Sequence, residues 1–414
     1  MSSNISNPIQ NTRFLFQDIA NTSPVLANVS LLQLATNIIT DWMPGTPDTL
    51  ATGFADLLSQ LLVIPPNSIW EVNRNMASFE KQWKQVSSWI LGIGFCRTII
   101  ERQGYPWWAP VSAFTSPPNP LTINANNGFL TSIYYFAPPL PGTPFPSFTS
   151  SYFLTHCHIT KPTPPLSTLL PDYVIARVNN NNCEISFAES KGTKNYLPSL
   201  NQPLDWINQS RNAEFFFRNS QLPITQYLLI ATRINPNAIR SLTRQIYVRA
   251  WNSYKLQASI NFDVILDIIS LNYIGVCQRI GLESLATWII YANNIRKNAV
   301  KPEKDIRDNL EISLEDIFEN SIHQKVEHLD NETIIFSKDR GYFHIGKHTL
   351  IRIGLSITTC NLIKELLFID NVEQFLEIYN KFNKRIIELQ SLVGHSSNFS
   401  VRLDGTVSLT INRN

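Results

Sequence analysis

The stretch of this sequence best equipped for chemistry is short. Residues 171–191 read PDYVIARVNNNNCEISFAESK. Two β-favouring runs, Asp172–Val178 and Cys183–Ser190, flank four asparagines, and asparagine tolerates the positive φ of a tight turn, so the segment predicts a hairpin. With the asparagines as the loop, Val178 faces Cys183, Arg177 faces Glu184 and Asp172 faces Glu189. The opposite charges of Arg177 and Glu184 support that register independently. Lys191 lies two residues beyond Glu189 and therefore on the same face. Val174, Ala176, Ile185 and Phe187 share that face and are apolar. Two carboxylates and an ammonium at the edge of an apolar surface are expensive unless they bind something. Hard oxygen donors suit Mg²⁺ together with a substrate phosphate. A metal held there polarises the phosphoryl oxygen and acidifies a bound water, and a lysine stabilises the charge that grows on phosphorus. The expected chemistry is metal-assisted phosphodiester hydrolysis.

The surrounding pattern predicts the elements that position these groups. Phe79, Trp83, Val86, Ile90 and Ile93 recur at helical spacing within Ser78–Arg102, and Gly104 follows as a stop signal. Helices are also expected at Leu31–Thr40 and Leu50–Val63, the latter ending before Pro65. Proline density over Pro106–Pro146 predicts an extended surface loop or lid with one strand at Phe129–Phe136. Ser151–Thr160 reads as a strand and a possible first member of a meander. An amphipathic helix over Pro203–Asn219 and a strand over Ile224–Ile234 follow the hairpin. Farther on, helices are expected at Asn261–Ile280, Leu282–Asn298, Asp305–Asn320 and Leu362–Leu389. Strands are expected at Thr333–Phe336, Tyr342–Ile353 and Phe399–Leu409, with Asp404-Gly405 forming a two-residue turn.

Composition narrows the class. The chain has 414 residues, 43% hydrophobic and 16% charged, which excludes intrinsic disorder. Its five cysteines are scattered without a CxxC pair, so neither a disulfide framework nor a zinc ribbon is indicated. His156 and His158 share a strand face but lack a second ligand pair. No signal segment or membrane-length apolar run is visible, and a cytoplasmic protein without a membrane partner is expected. The net charge of +2 conceals an uneven distribution: residues 171–260 hold ten basic and five acidic side chains. That local excess suits a polyanion.

Pro171-Asp172, followed after 16 intervening residues by Glu189-Ser190-Lys191, resembles the PD-(D/E)xK motif of the restriction-endonuclease-like nucleases. The resemblance covers roughly residues 78–260. It implies an α/β fold with a restriction-endonuclease-like core of helix, three-stranded β-meander, helix and strand. It further implies that Asp172, Glu189 and the Ser190 carbonyl hold Mg²⁺ or Mn²⁺, and that Lys191 stands by the attacking water. Cys96 occupies the place where many such nucleases carry a first-helix glutamate, leaving Glu101 as the substitute and Glu80 as a weaker one. Gln209 is an auxiliary candidate in the following helix. Lys194, Arg211, Arg218, Arg233, Arg240 and Arg244 are candidates for phosphate contacts along the backbone of a nucleic acid. The chain thus divides into a helical N-terminal region (1–77), a nuclease-like core (78–260) with a proline-rich insertion (106–150), and an α+β C-terminal region (261–414). The expectation is an endonuclease acting on double-stranded DNA in restriction or anti-phage defence, as a homodimer if both strands are cut. The alternative is a nucleic-acid-binding or assembly protein with a nuclease-like fold and no turnover.

Overall fold

The computed structural model describes residues 12–18, 24–41, 58, 60–63, 69–115, 121–122, 129–136, 148–193, 204–235, 245–252, 258–297, 324–329, 332–337, 342–345, 349–369, 371–393 and 398–412. The expected helix at Asp305–Asn320 lies outside them, as does most of Leu50–Val63. Of that second segment, Leu62–Val63 is a short strand paired with Glu71–Val72.

The hairpin forms in the expected register. Strands β4 (Tyr173–Asn179) and β5 (Asn182–Thr193) pair Val178 with Cys183 and Arg177 with Glu184. Pairing runs one step past the expected loop, so Asn179 faces Asn182 and the turn is Asn180-Asn181 alone. Both have positive φ, 48° and 62°, the two-residue turn whose twist matches that of the strands. The Arg177 Nε donates to Glu184 Oε2 at 2.7 Å, and its Nη1 donates to the Gln103 carbonyl at 2.6 Å.

A seven-stranded mixed sheet contains this hairpin, one strand in from an edge. Its other strands are β1 (Thr12–Asp18), β2 (Val25–Val29), β3 (Trp107–Pro110), β6 (Gln226–Arg233) and β7 (Tyr247–Asn252), in the order β2-β1-β7-β6-β5-β4-β3. β3, β4 and β5 form an antiparallel meander; β6 runs parallel to β5, and β7 antiparallel to β6. Helix α1 (Leu31–Asp41) precedes α2 (Lys81–Arg102), which leads into the meander, and the short α3 (Leu204–Ser210) lies between β5 and β6. Helices α4 (Phe262–Ile280) and α5 (Glu283–Arg296) follow, with α4 packed on β3, β4 and β5. A second, antiparallel sheet holds strands between residues 324 and 412 and is covered by α6 (Ile357–Leu367) and α7 (Val372–Val393).

Several expectations need correction. The first strand of the meander is Trp107–Pro110, not Ser151–Thr160, whose second half (Cys157–Thr160) instead pairs with Glu214–Phe217 in a small separate sheet. The proline-rich segment therefore begins as sheet: Trp107, Trp108 and Ala109 are buried there, and β3 is an edge strand that accommodates Pro110 at its end. The helix expected over Pro203–Asn219 stops at Ser210, because Glu214–Phe217 gains a strand partner. Leu362–Leu389 is two helices, and Tyr342–Ile353 is two antiparallel strands, Tyr342–Ile345 and Thr349–Ser356. The last hairpin does not turn on two residues. Gly405, at φ 77°, donates to the Arg402 carbonyl, and the Arg402 amide donates to the Thr406 carbonyl at 3.0 Å, so Leu403, Asp404 and Gly405 form a three-residue turn.

The boundary expected at residue 77 crosses a sheet, since β1 and β2 extend the same sheet as the meander. Among the described residues, beside a small cluster of Ile207, Leu229, Ala231 and Trp251, the main hydrophobic cluster runs from Phe14 to Leu409. A buried polar staple ties the C-terminal region to it. Arg402 Nε donates to Glu101 Oε1 at 2.7 Å, and its Nη1 donates to Thr40 Oγ1 at 2.5 Å. The C-terminal hairpin thereby joins α1 and the last turn of α2. Arg402→Met should cost about 3–5 kcal/mol of unfolding free energy in urea titrations, because it leaves Glu101 buried without its counter-ion. The double variant Glu101→Gln/Arg402→Met should regain part of that loss.

Candidate active site

The open end of the hairpin carries the carboxylates. Asp172 sits one residue before β4, where its carbonyl accepts from the Val111 amide at 3.0 Å. Its own amide donates to Glu189 Oε2 at 3.1 Å, and its carboxylate Oδ2 accepts from the Ser190 amide at 2.9 Å. Each carboxylate is thus held by the other residue's strand. Lys191 Nζ lies 2.5 Å from Glu189 Oε1 and donates to Gln209 Oε1 at 2.8 Å. Gln209 Nε2 donates in turn to the Leu170 carbonyl at 3.1 Å. Gln209, the auxiliary candidate, lines the cleft and uses both ends of its amide on the protein, fixing Lys191 and the turn into Asp172.

These residues line a cleft of about 690 Å³. One wall is the N-terminal half of α2, from which Lys81, Lys84, Gln85, Ser88 and Trp89 face the cavity. The helix can lie so close only because β5 continues into Gly192. A Cβ on Gly192 would stand 2.0 Å from the Ser88 carbonyl oxygen, and one on Gly92 would stand 3.0 Å from the Gly192 nitrogen. A second border is the loop before Asp172. Asn212 clamps it, donating to the carbonyls of Ser167 at 2.6 Å and Leu169 at 2.7 Å while accepting from the Leu166 amide at 2.8 Å.

Burial dominates the electrostatics. The Glu189 carboxyl is pushed up to about 8, first by desolvation and then by the neighbouring Asp172 charge, with Lys191 opposing. Asp172 lies exposed at the cleft mouth, yet the protein around its carboxyl raises its pKa by desolvation, against the pull of the Ser190 amide and Lys191. Glu189 is 1% exposed, and its Oε1 has the contact with Lys191 but no aligned hydrogen bond. Such a buried, incompletely satisfied carboxylate oxygen is suited to receive a cation.

The other candidates lie elsewhere. Glu101 does not reach the cleft: it is buried on the last turn of α2 and paired with Arg402. Ser88 and Glu101 are thirteen residues apart on one helix, roughly 20 Å. Glu80 is the exposed N-cap of α2. Arg211, Arg218 and Arg233 do not line the cleft; Arg218 lies over Phe217 at 5.4 Å and Arg233 over Tyr247 at 5.4 Å. Lys194, Arg240 and Arg244 lie outside the described residues. His158 stacks on Phe216 at 5.0 Å, and neither it nor His156 borders the cleft. Sequence reasoning missed Lys81, Lys84 and Asn212. The spacing of Lys81, Lys84 and Ser88 on one helical face was the available signal for the first two. Among the described residues no group of three or more His, Cys, Asp or Glu side chains forms a metal cage, and no helix is long and apolar enough to cross a membrane.

No family model matches this sequence, and no curated protein or solved structure matches it.

Because the folded-state pKa of Glu189 is raised, its protonated form contributes stability that is complete below the ordinary carboxylate range and lost as pH rises through about 8. Unfolding free energy of metal-free protein should therefore fall between about pH 5 and about pH 9. Glu189→Gln, which cannot ionise, should flatten that part of the profile in denaturation series run at each pH.

Proposed function

We propose that this protein is a metal-dependent nuclease that hydrolyses phosphodiester bonds through Asp172, Glu189 and Lys191. The observation that supports it best is the convergence of those three side chains at one cleft, at the open end of a hairpin. The element order helix, antiparallel meander, helix and parallel strand agrees with what the PD-(D/E)xK resemblance implies for a restriction-endonuclease-like core. The donor set fits Mg²⁺ or Mn²⁺: carboxylate oxygens from Asp172 and Glu189, with the Ser190 carbonyl as a further donor. When bound, such a cation supplies Lewis-acid polarisation of the phosphoryl oxygen and a water acidified toward neutrality. Two protein carboxylates leave most coordination positions to water and substrate phosphate, the usual arrangement for Mg²⁺.

The protein's own groups do the remaining work. Lys191 carries positive charge at the cleft wall, where negative charge accumulates on the phosphoryl oxygens. Gln209 is a positioning residue that holds the Lys191 ammonium beside Glu189. Interlocking backbone hydrogen bonds keep the two carboxylates in register, so little reorganisation is needed when substrate arrives. With Glu101 committed to Arg402, the first helix contributes no acid from that position, and the donor set rests on the hairpin. DNA is the proposed substrate, and pairing of two copies would serve cleavage of both strands wherever a duplex is opened at the site. The biological setting proposed is restriction or anti-phage defence.

Purified protein incubated with Mg²⁺ and plasmid DNA, single-stranded DNA or RNA should cleave at least one of them. Asp172→Asn should abolish cleavage, and Lys191→Ala should lower kcat by about 100-fold or more. If wild type and both variants are equally inert on every substrate, the nuclease reading fails.

A further inference from the structure

The cleft has a wall that neither the hairpin motif nor the central basic segment supplies. Lys81, Lys84, Ser88 and Gly92 follow one face of α2 at helical spacing, descending to the point where the helix meets Gly192. Trp89 borders the same cleft and remains 47% exposed although its helix is buried continuously from Ile90 to Glu101. Its backbone nitrogen would be 3.3 Å from a Cβ on Gly192, the residue after Lys191. Leu169, 58% exposed, and Leu170 also line the cavity, from the loop that Asn212 holds. Large exposed apolar side chains beside a carboxylate pair are unfavourable in water, and they suit a ligand that has both a charged backbone and a flat apolar surface. A nucleotide has both. The paired bases of a duplex keep their faces stacked inside the helix, so an indole beside the scissile position can be used fully only by a base that is unpaired or splayed out.

Resting on the nuclease reading above, we propose that α2 is the substrate-binding wall of the cleft, where Lys81 and Lys84 contact the phosphate backbone and Trp89 stacks on an unpaired base next to the scissile phosphate. The substrate class is then single-stranded or locally opened nucleic acid. Intact duplex would serve only where a nucleotide frays or flips. The basic residues between Arg211 and Arg233 are not needed for this contact, because those that are described do not border the cleft.

The test is binding by fluorescence anisotropy of a short labelled oligo-dT and of a blunt DNA hairpin, with Ca²⁺ replacing Mg²⁺ and salt varied. Oligo-dT should bind more tightly than the hairpin. Trp89→Ala should weaken oligo-dT binding by about 5- to 150-fold, the range for loss of one stacked base, while Trp89→Phe keeps most of it. Lys81→Ala/Lys84→Ala should reduce the slope of log affinity against log salt by about 1.4, the value for two phosphate contacts on a single strand. Lys81 and Trp89 are exposed and Lys84 is half-buried at the cleft, outside the core, so thermal melts should match wild type. Equal affinity of Trp89→Ala and wild type, tighter binding of the hairpin, an unchanged salt slope, or no binding of either probe would overturn the proposal. Cleavage assays with Mg²⁺ run in parallel separate the two claims. Cleavage abolished by Asp172→Asn but indifferent to α2 sinks this inference alone. Binding that depends on α2 without any cleavage sinks the nuclease reading instead.

Discussion

Register in the β4–β5 hairpin is the constraint on which the site depends. Side chains alternate between the faces of a sheet, so a slip of one residue would send Glu189 to the face opposite Asp172 and dissolve the cleft. Three features hold the register. The Asn180-Asn181 turn fixes the number of loop residues, and both adopt the positive φ that such a turn needs. The Arg177–Glu184 pair penalises misalignment, and Asn179 Nδ2 adds a bond to Glu184 Oε1 at 3.1 Å. At the other end, the Asp172 amide and the Ser190 amide each bind the opposite carboxylate. The chemical groups are therefore part of the lock that positions them.

A second constraint sets the depth of the site. Gly192 allows α2 to lie against the strand, and the helix brings its lysines and Trp89 alongside the carboxylates. Glu189 is itself buried beside this contact, and that burial raises its pKa. The C-terminal region supports this arrangement at a distance. Arg402 fixes the far end of α2 through Glu101, and Tyr273 of α4 donates to the Asp404 carbonyl at 2.7 Å.

The hairpin was legible in the sequence because its signals are local: an asparagine turn, period-two apolar residues and a cross-strand ion pair. Helix α2 was legible from its periodicity, although Trp83, one of the residues in that spacing, is 55% exposed. What could not be read depends on long-range pairing. Strands β1 and β2 lie far from β7 in sequence, and no local pattern announces that they extend the same sheet. Trp107–Pro110 looks like the start of a proline-rich loop until β4 is present beside it. Glu101 illustrates the limit for the site, since its partner is Arg402, three hundred residues away, and one sequence contains no sign of that pairing. The basic excess in residues 171–260 was a weak guide for a related reason. Arg177 is taken up by Glu184 and the Gln103 carbonyl, whereas the cleft draws Lys81 and Lys84 from a segment of balanced charge.

The central claim is that Asp172 and Glu189 jointly receive one divalent cation beside Lys191. Crystals soaked in Mn²⁺ and measured at the manganese absorption edge test it without relying on turnover or on knowledge of the substrate. The account predicts one anomalous peak in the cleft, within about 2.0–2.2 Å of an oxygen of each carboxylate, and its disappearance in Asp172→Asn. A cleft with no peak at saturating Mn²⁺, or a peak that persists unchanged in Asp172→Asn, would contradict it.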